Sequence, residues 1–193
     1  MTDPGTAPRA SEARRFDYHL DAENLITYVS PDFLAFAREN DTPQLTAGTL
    51  LNQPIWTFVA GAATREVYAT LFDRVRATGQ AVTIPFRCDG PTCRRFMELT
   101  VSPGPAAALH LSARLLRVED GVNLPLLDPR IPRSGKMLEA CSFCKSIRLP
   151  DNGWHPVEDA VRQLSLFDSP QLPILSHSVC PTCMPDFMDR LET

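Results

Sequence analysis

Two Cys-x-x-Cys pairs, Cys141-Ser-Phe-Cys144 and Cys180-Pro-Thr-Cys183, are separated by 35 residues near the end of this chain of 193 residues. Thiols three positions apart in a tight turn can reach one metal ion, and two such turns complete the tetrahedral shell of a structural Zn²⁺ site. Four thiolates leave no coordination position open for a substrate. The spacing therefore predicts one structural zinc ion and a zinc-binding module at residues 137–193.

Other states of these thiols are compatible with the spacing. The four could form disulfides, which do not persist in a reducing compartment, or they could all be unligated. One pair could be a redox couple, but that motif is expected between a strand and a long helix, whereas Cys141 follows a proline-rich segment. His177 could replace one ligand, although four cysteines suffice and we expect it outside the shell. We favour zinc.

The acidic residues are concentrated in the same segment. Residues 137–193 contain four basic and eight acidic residues, so they carry the whole net charge of −4, and residues 1–136 are balanced with 15 of each sign. A zinc ion with four thiolates would add about −2 more. Zinc modules that bind nucleic acid need Lys and Arg for phosphate contacts. We therefore expect this segment to contact proteins and not nucleic acid.

The composition is that of a globular protein with many loops. Hydrophobic residues make up 44% of the chain and charged residues 22%, while the 18 prolines exceed the share of about 5% that is typical. No apolar run reaches the length of about 18 residues that predicts a membrane span. Residues 1–10 lack the apolar core of a signal peptide. We expect a cytoplasmic protein with a flexible arm at residues 1–13.

Strand and helix patterns alternate over the first 118 residues. Alternating apolar residues predict a β-hairpin over residues 16–29, and Ser30 followed by proline predicts the start of a short helix. Apolar residues four positions apart predict a longer helix over residues 61–78, which Gly79 ends. Three further alternating runs within residues 82–118 predict antiparallel strands. These elements indicate an α+β fold.

The order of these elements resembles a PAS domain over residues 14–118. The resemblance is carried by residues 28–33 (Tyr-Val-Ser-Pro-Asp-Phe), where the second strand passes into the first helix, and by residues 55–59 (Ile-Trp-Thr-Phe-Val). It implies a five-stranded antiparallel sheet, with covering helices that enclose a pocket on one face. It also implies a role in sensing or dimerisation, and PAS domains are usually not enzymes.

The resemblance implies a candidate ligand pocket as well. Its expected lining residues, which could equally pack the core, are Phe33, Trp56, Phe58, Tyr68, Phe86 and Leu111. PAS domains that hold haem commonly place a histidine on the long helix, and residues 61–78 contain none. The Asn-Cys-Arg-Phe motif of flavin-binding PAS photosensors is absent too. We therefore expect neither haem nor flavin, and the sequence does not identify the ligand.

Cys88 and Cys93 frame the turn between the first two of the three later strands. If the hairpin brings them within disulfide distance, they could form a reversible redox switch. Otherwise they are two reduced thiols beside a turn. A thiol redox sensor is therefore one alternative function. A zinc-dependent transcriptional regulator is another, which the acidic C-terminal segment disfavours.

A Pro-rich linker is predicted at residues 119–136, which contain three prolines. Beyond it, the sequence resembles a cysteine-rich tail found next to PAS and receiver domains in bacterial signalling proteins. The matching blocks are residues 141–148, 153–158 and 176–183. Pro156 predicts a helix start, and the second cysteine pair precedes a final helix. We therefore predict a treble-clef-like or ribbon-like zinc module.

The sequence lacks the usual catalytic motifs. It contains no Gly-x-Ser-x-Gly, no His-Glu-x-x-His and no phosphate-binding Gly-x-x-x-x-Gly-Lys loop. We expect a non-enzymatic cytoplasmic signalling protein, in which PAS-type sensing or dimerisation is coupled to a structural Cys₄ zinc module. That module would contact a partner protein, and a homodimer would form through the PAS-like domain.

Overall fold

A computed structural model describes residues 14–121, 123–151, 153–167 and 169–192. The arm expected at residues 1–13 lies outside the described residues. Within the described ranges the chain forms two β-sheets with helices packed on them. No helix in this part of the chain is long and apolar enough to cross a lipid bilayer.

Five strands form the first sheet. They are β1 (Arg15–Leu20), β2 (Ile26–Val29), β3 (Val82–Arg87), β4 (Cys93–Pro103) and β5 (Leu109–Asp120). All neighbours pair antiparallel, in the spatial order β2-β1-β5-β4-β3. The predicted five-stranded antiparallel sheet of the PAS type is therefore confirmed.

Three helices follow β2 and pack on this sheet: α1 (Pro31–Glu39), α2 (Ala47–Leu50) and α3 (Ala62–Thr78). The Ser30 side chain caps α1, since its Oγ accepts a hydrogen bond of 3.1 Å from the Phe33 backbone N–H. Gly79 ends α3 in the left-handed conformation, with a φ of 67°. Leu71 of α3 is fully buried in one core with Leu99 and Leu111 of the sheet. Both predicted helix boundaries are confirmed.

The second sheet contains four strands in the order β8-β7-β6-β9. They are β6 (Arg133–Cys141), β7 (Ile147–Arg148), β8 (Trp154–His155) and β9 (Leu172–Ser178). Strand β9 lies at the edge of this sheet and pairs parallel with β6. Parallel strands need a crossover connection, and helix α4 (Val157–Gln163) lies within it. Helix α5 (Cys183–Glu192) begins at the last cysteine.

The segment expected to be a Pro-rich linker is folded into the molecule. Strand β5 extends to Asp120, and β6 begins at Arg133. Between them, Leu126 is fully buried in a small core under the second sheet. The Arg133 guanidinium donates hydrogen bonds to the carbonyl oxygens of Leu126 and Asp128 at 3.0 and 2.7 Å. Despite its prolines, this segment is a packed strap and not a free linker, because its apolar side chains enter a core.

The core of the first sheet extends into the cysteine-containing part of the chain. Phe143 and Phe187, from the cysteine-containing part of the chain, belong to the same buried cluster as Leu71 and Leu99. The backbone N–H of Arg87, on edge strand β3, donates to the Phe143 carbonyl oxygen at 2.7 Å. The cysteine module is therefore docked on the edge of the PAS-like sheet and is not suspended from a linker.

Candidate metal centre and neighbouring cavities

The four thiols of the two Cys-x-x-Cys pairs meet at one point. Cys141 ends β6, Cys144 lies in the turn before β7, Cys180 follows β9, and Cys183 begins α5. Their Sγ atoms all lie within 4.8 Å of one another, and those of Cys144 and Cys180 are 3.6 Å apart. In the described part of the chain, these four cysteines are the group of His, Cys, Asp or Glu residues whose ligand atoms lie close enough together to share one ion.

This arrangement fits a tetrahedral zinc site. Zn–S bonds of about 2.3 Å place the sulfur atoms of a tetrahedron about 3.8 Å apart. The observed separation of 3.6 Å matches that edge, and it is far longer than a disulfide bond of about 2.0 Å. All four cysteines are free thiols. Because the four sulfurs would fill the shell, the site suits a structural ion and not a catalytic one.

Backbone hydrogen bonds hold each cysteine turn. The Lys145 N–H donates to the Cys141 carbonyl oxygen at 3.1 Å, and the Cys183 N–H donates to the Cys180 carbonyl oxygen at 3.1 Å. The Cys180 N–H also points at the Cys141 Sγ, 3.4 Å away. Lys145 has a φ of 64°, the left-handed conformation that lets the turn close after the second cysteine. Hydrogen bonds within and between the turns therefore help to set the positions of the thiols.

The four thiols lie close enough to shift one another's pKa values. Hydrogen bonds from Cys141 and then Cys183 lower the pKa of the Cys144 thiol far below its ordinary value. The same contacts raise the pKa of Cys183, with Cys141 the larger cause, and the bond to Cys144 raises the pKa of Cys141. A bound divalent cation would require all four cysteines as thiolates, so its binding would release protons.

His177 stands close to the cluster but outside it. Its backbone, on β9, packs so tightly against Gly61 that a methyl group on Gly61 would lie 2.0 Å from the His177 carbonyl oxygen. Burial and, secondarily, the charge of Lys145 lower the pKa of the His177 imidazole. The four sulfurs lie near one another without it, so the expectation that His177 is not a ligand stays a prediction consistent with the geometry.

A cavity of about 200 Å³ lies in the PAS-like domain where a ligand pocket was expected. Of the six predicted lining residues, it contains Phe33, Phe58 and Tyr68. Trp56 packs instead on Phe72, with ring centroids 5.7 Å apart. Leu111 is a core residue at 1% exposure, and Phe86 faces a different cavity.

Sequence analysis missed several walls of this cavity. They include Tyr18, Ile26, Val29, Leu50, Ile55 and Val59. The signal for Tyr18 was available, because Tyr18 lies on the same face of β1 as Phe16 and Leu20. Burial raises the pKa of Tyr68 to about 12, so its phenol is neutral at physiological pH.

Cys88 and Cys93 are not paired with each other in the backbone register of the hairpin. The Cys88 N–H donates to the Arg95 carbonyl oxygen, and the Gly90 N–H donates to that of Cys93, each at 3.0 Å. Burial raises the pKa of the Cys88 thiol, which keeps it protonated and slow to react. Both are free thiols. The redox switch stays a prediction, and the raised pKa does not favour it.

Aromatic contacts connect the PAS-like cavity to the first cysteine turn. Tyr68, a wall of the cavity, stacks on Phe143 with centroids 6.3 Å apart, and Phe143 stacks on Phe187 of α5 at 6.4 Å. Phe143 is one of the two residues between Cys141 and Cys144. No pattern in the sequence indicated this contact, because it depends on how the two sheets dock.

A charge network joins the two sheets at a second point. The Glu158 carboxylate of α4, in a residue only 8% exposed, accepts hydrogen bonds from Arg94 at 2.6 Å and Arg87 at 3.3 Å. Arg87 also pairs with the fully buried carboxylate of Asp89. Burial alone would raise the pKa of Glu158, but hydrogen bonds from its own backbone N–H and from Arg94 lower it overall. The carboxylate is therefore charged at neutral pH.

No protein-family model matches this sequence, and no curated protein matches it. Solved structures resemble about half of it. A domain of an HTR-like protein from Haloarcula marismortui is 14% identical, with 53% of this chain and 98% of that chain covered and a TM-score of 0.37.

Two further structures are similar to the same extent. The Aer2 receptor from Vibrio cholerae, described as a dual PAS-haem oxygen sensor, is 12% identical, with 54% of this chain and 94% of that chain covered and a TM-score of 0.36. The PAS domain of nitrogen regulation protein NR(II) from Vibrio parahaemolyticus is 20% identical, with 53% and 88% covered and a TM-score of 0.32. The strand order described above establishes the PAS-like architecture independently of these resemblances.

Proposed function

We propose that this chain is a non-enzymatic cytoplasmic signalling protein. In this proposal the PAS-like domain senses a ligand or dimerises, and a structural zinc ion holds the second sheet in a form that contacts a partner protein. The main support is the position of Phe143, which lies within the first cysteine turn and stacks on Tyr68, a wall of the PAS-like cavity. A change in the cavity would therefore reach the cysteine turn through one contact.

Zinc would be held by Cys141, Cys144, Cys180 and Cys183, and the bound ion would supply cross-linking of β6, β9 and α5. The second sheet needs such a cross-link, since β7 and β8 are only two residues long and offer little pairing of their own. A closed shell gives no position for substrate, which is consistent with a non-enzymatic role. Thiols in a reducing cytoplasm would stay available for the ion.

The partner surface is proposed on the second sheet and its helices. The excess of acidic residues in the segment from residue 137 onward does not suit phosphate contacts, which nucleic acid would require. Met137 on β6 and Ile174 on β9 are paired in register and are 66% and 44% exposed, so they form a small apolar patch on this sheet. A protein surface with a complementary apolar patch would be its natural contact.

The test of the zinc site is metal content by native mass spectrometry of protein purified without added metal. We expect one zinc per wild-type chain. Cys144→Ser should lose the zinc and lower the midpoint of thermal unfolding, because zinc binding at such sites is worth about 10–16 kcal/mol and is coupled to folding. Cys93→Ser, a free half-buried thiol outside the cluster, is the matched control. If Cys144→Ser keeps both the zinc and the midpoint, the proposed site is wrong.

A further inference from the structure

A second cavity, of about 280 Å³, lies in the seam between the two sheets. Its walls come from β3, β4 and Leu116 of β5 on one side, and from α5 and the first cysteine turn on the other. It is distinct from the PAS-like cavity, because the two have no lining residue in common. Neither the cysteine spacing nor the PAS resemblance indicated it.

Four aromatic rings lie in the walls of this cavity, among aliphatic and sulfur-containing side chains such as Ile84, Met97 and Leu116. Phe86, Phe96, Phe143 and Phe187 contribute rings from four different parts of the chain. Aromatic rings bind other rings in offset or edge-to-face geometry, and such pairs are more favourable than the buried area alone would give. The surroundings therefore favour a flat aromatic ligand over a flexible aliphatic chain.

The charged groups of this cavity already have partners. Arg87 pairs with Asp89 and Glu158, and Arg190 lies 3.7 Å from Asp186 at the exposed rim. A charged ligand would lose its hydration on entry and find no unpaired opposite charge among these groups. An uncharged ligand avoids that cost, so the electrostatics select a neutral molecule.

The volume limits the size of the ligand. Pockets for drug-sized molecules occupy about 300–1,000 Å³, and this cavity lies just under that range. A fused two-ring system matches the space, whereas a peptide helix or a large cofactor does not.

We propose that the seam cavity binds a small neutral aromatic molecule of about two fused rings. The ligand would contact the Cys144 and Cys183 side chains as well as Phe86 and Phe96, and so would touch both sheets at once. Binding would stabilise the docked arrangement in proportion to occupancy. This site does not depend on a ligand in the PAS-like cavity.

The experiment is titration of the full chain with indole, a neutral two-ring probe, by isothermal calorimetry. Wild-type protein should bind it saturably with one site. Leu116→Trp places a large ring in the cavity wall and should weaken binding by about tenfold or more. Val118→Trp is the matched control on the same strand, since Leu116 and Val118 are 48% and 50% exposed and only Leu116 lines the cavity. It should bind as the wild type does.

Two measurements separate the alternatives. Val59→Trp partly fills the PAS-like cavity, so loss of binding in that variant and not in Leu116→Trp would overturn the proposal. Contacts between indole and the Met97 methyl group, detected by NMR in the wild type, locate the ligand even if Leu116→Trp fails to fold. Absence of saturable indole binding would also overturn the proposal. So would a wild-type dimer that Leu116→Trp abolishes and that indole does not affect, because the cavity would then be part of a dimer interface.

Discussion

The two sheets are stabilised in different ways. The first has strands of up to 12 residues and a core of aliphatic and aromatic side chains from both the sheet and α3. The second has two strands of only two residues, a smaller core, and the four-thiol cluster at its end. Hydrophobic burial by itself can account for the stability of the first sheet. The second has little strand pairing and a small core of its own, so we expect its stability to depend on docking against the first sheet, and we expect the seam between the sheets to be the part most sensitive to substitution.

The largest expected effect in the seam comes from Phe143→Ala. Phe143 is 7% exposed and lies between Tyr68 and Phe187, so truncation leaves a cavity at the joint. We expect a loss of about 3–5 kcal/mol in the free energy of unfolding, measured by urea denaturation. Phe167→Ala is the control, because Phe167 is 42% exposed and should cost less than about 1 kcal/mol. Similar losses in the two variants would mean that Phe143 does not contribute specially to the packing between the two sheets.

The first sheet could be predicted from sequence because its signals are local. The cap at Ser30, the left-handed Gly79 and the alternation along β1 each depend on residues a few positions apart. The four-cysteine site was predictable for the same reason, since each pair lies within one turn. The five strands of the first sheet and helices α1 and α3 were therefore predicted close to their observed positions, and the four thiols were predicted to form one group.

The seam could not be predicted because its contacts join residues far apart in the chain. Strand β6 was partly assigned to a linker, since the proline before it and Gly135 within it weaken the strand pattern, and its parallel partner β9 begins only at Leu172. The stack of Tyr68 on Phe143 and the second cavity follow from docking and not from periodicity. Phe86, predicted to line the PAS-like pocket, lines that second cavity for this reason.

A smaller effect is expected from Gly61→Ala, which tests how closely α3 approaches β9. Gly61 has a φ of 85°, and an added Cβ would lie 2.0 Å from the His177 backbone oxygen, which cannot move aside as a flexible side chain can. Strain and clash together should cost about 3 kcal/mol in the free energy of unfolding. Hydrogen exchange should also show faster opening of β9 than in the wild type.

Gly79→Ala is the matched control for this prediction. Gly79 also has a positive φ, of 67°, but no atom lies within 4 Å of its would-be Cβ. It should therefore cost only the backbone strain, about 1–2 kcal/mol, and leave exchange in β9 unchanged. Equal costs at the two glycines would show that strain alone acts and that the close approach of the two sheets contributes nothing.

The smallest effect concerns the charge network, and it depends on pH. Glu158→Gln removes the carboxylate that Arg87 and Arg94 share, and we expect a loss of about 1–2 kcal/mol at pH 7, reduced from that of a fully buried pair because Arg94 is partly exposed. The folded-state pKa of Glu158 is lowered, so its contribution is complete above the unfolded value near 4.5 and disappears as the pH falls through the folded value. Urea denaturation of both proteins between pH 7 and pH 3 should therefore show two curves that converge in acid.

The matched control is Asp159→Asn. Asp159 is next in the chain and pairs with Arg162 at the surface, so this variant should differ little from the wild type at any pH. A Glu158→Gln deficit that persists unchanged at pH 3 would mean that the side chain acts through packing, and that the charge network does not hold the second sheet to the first.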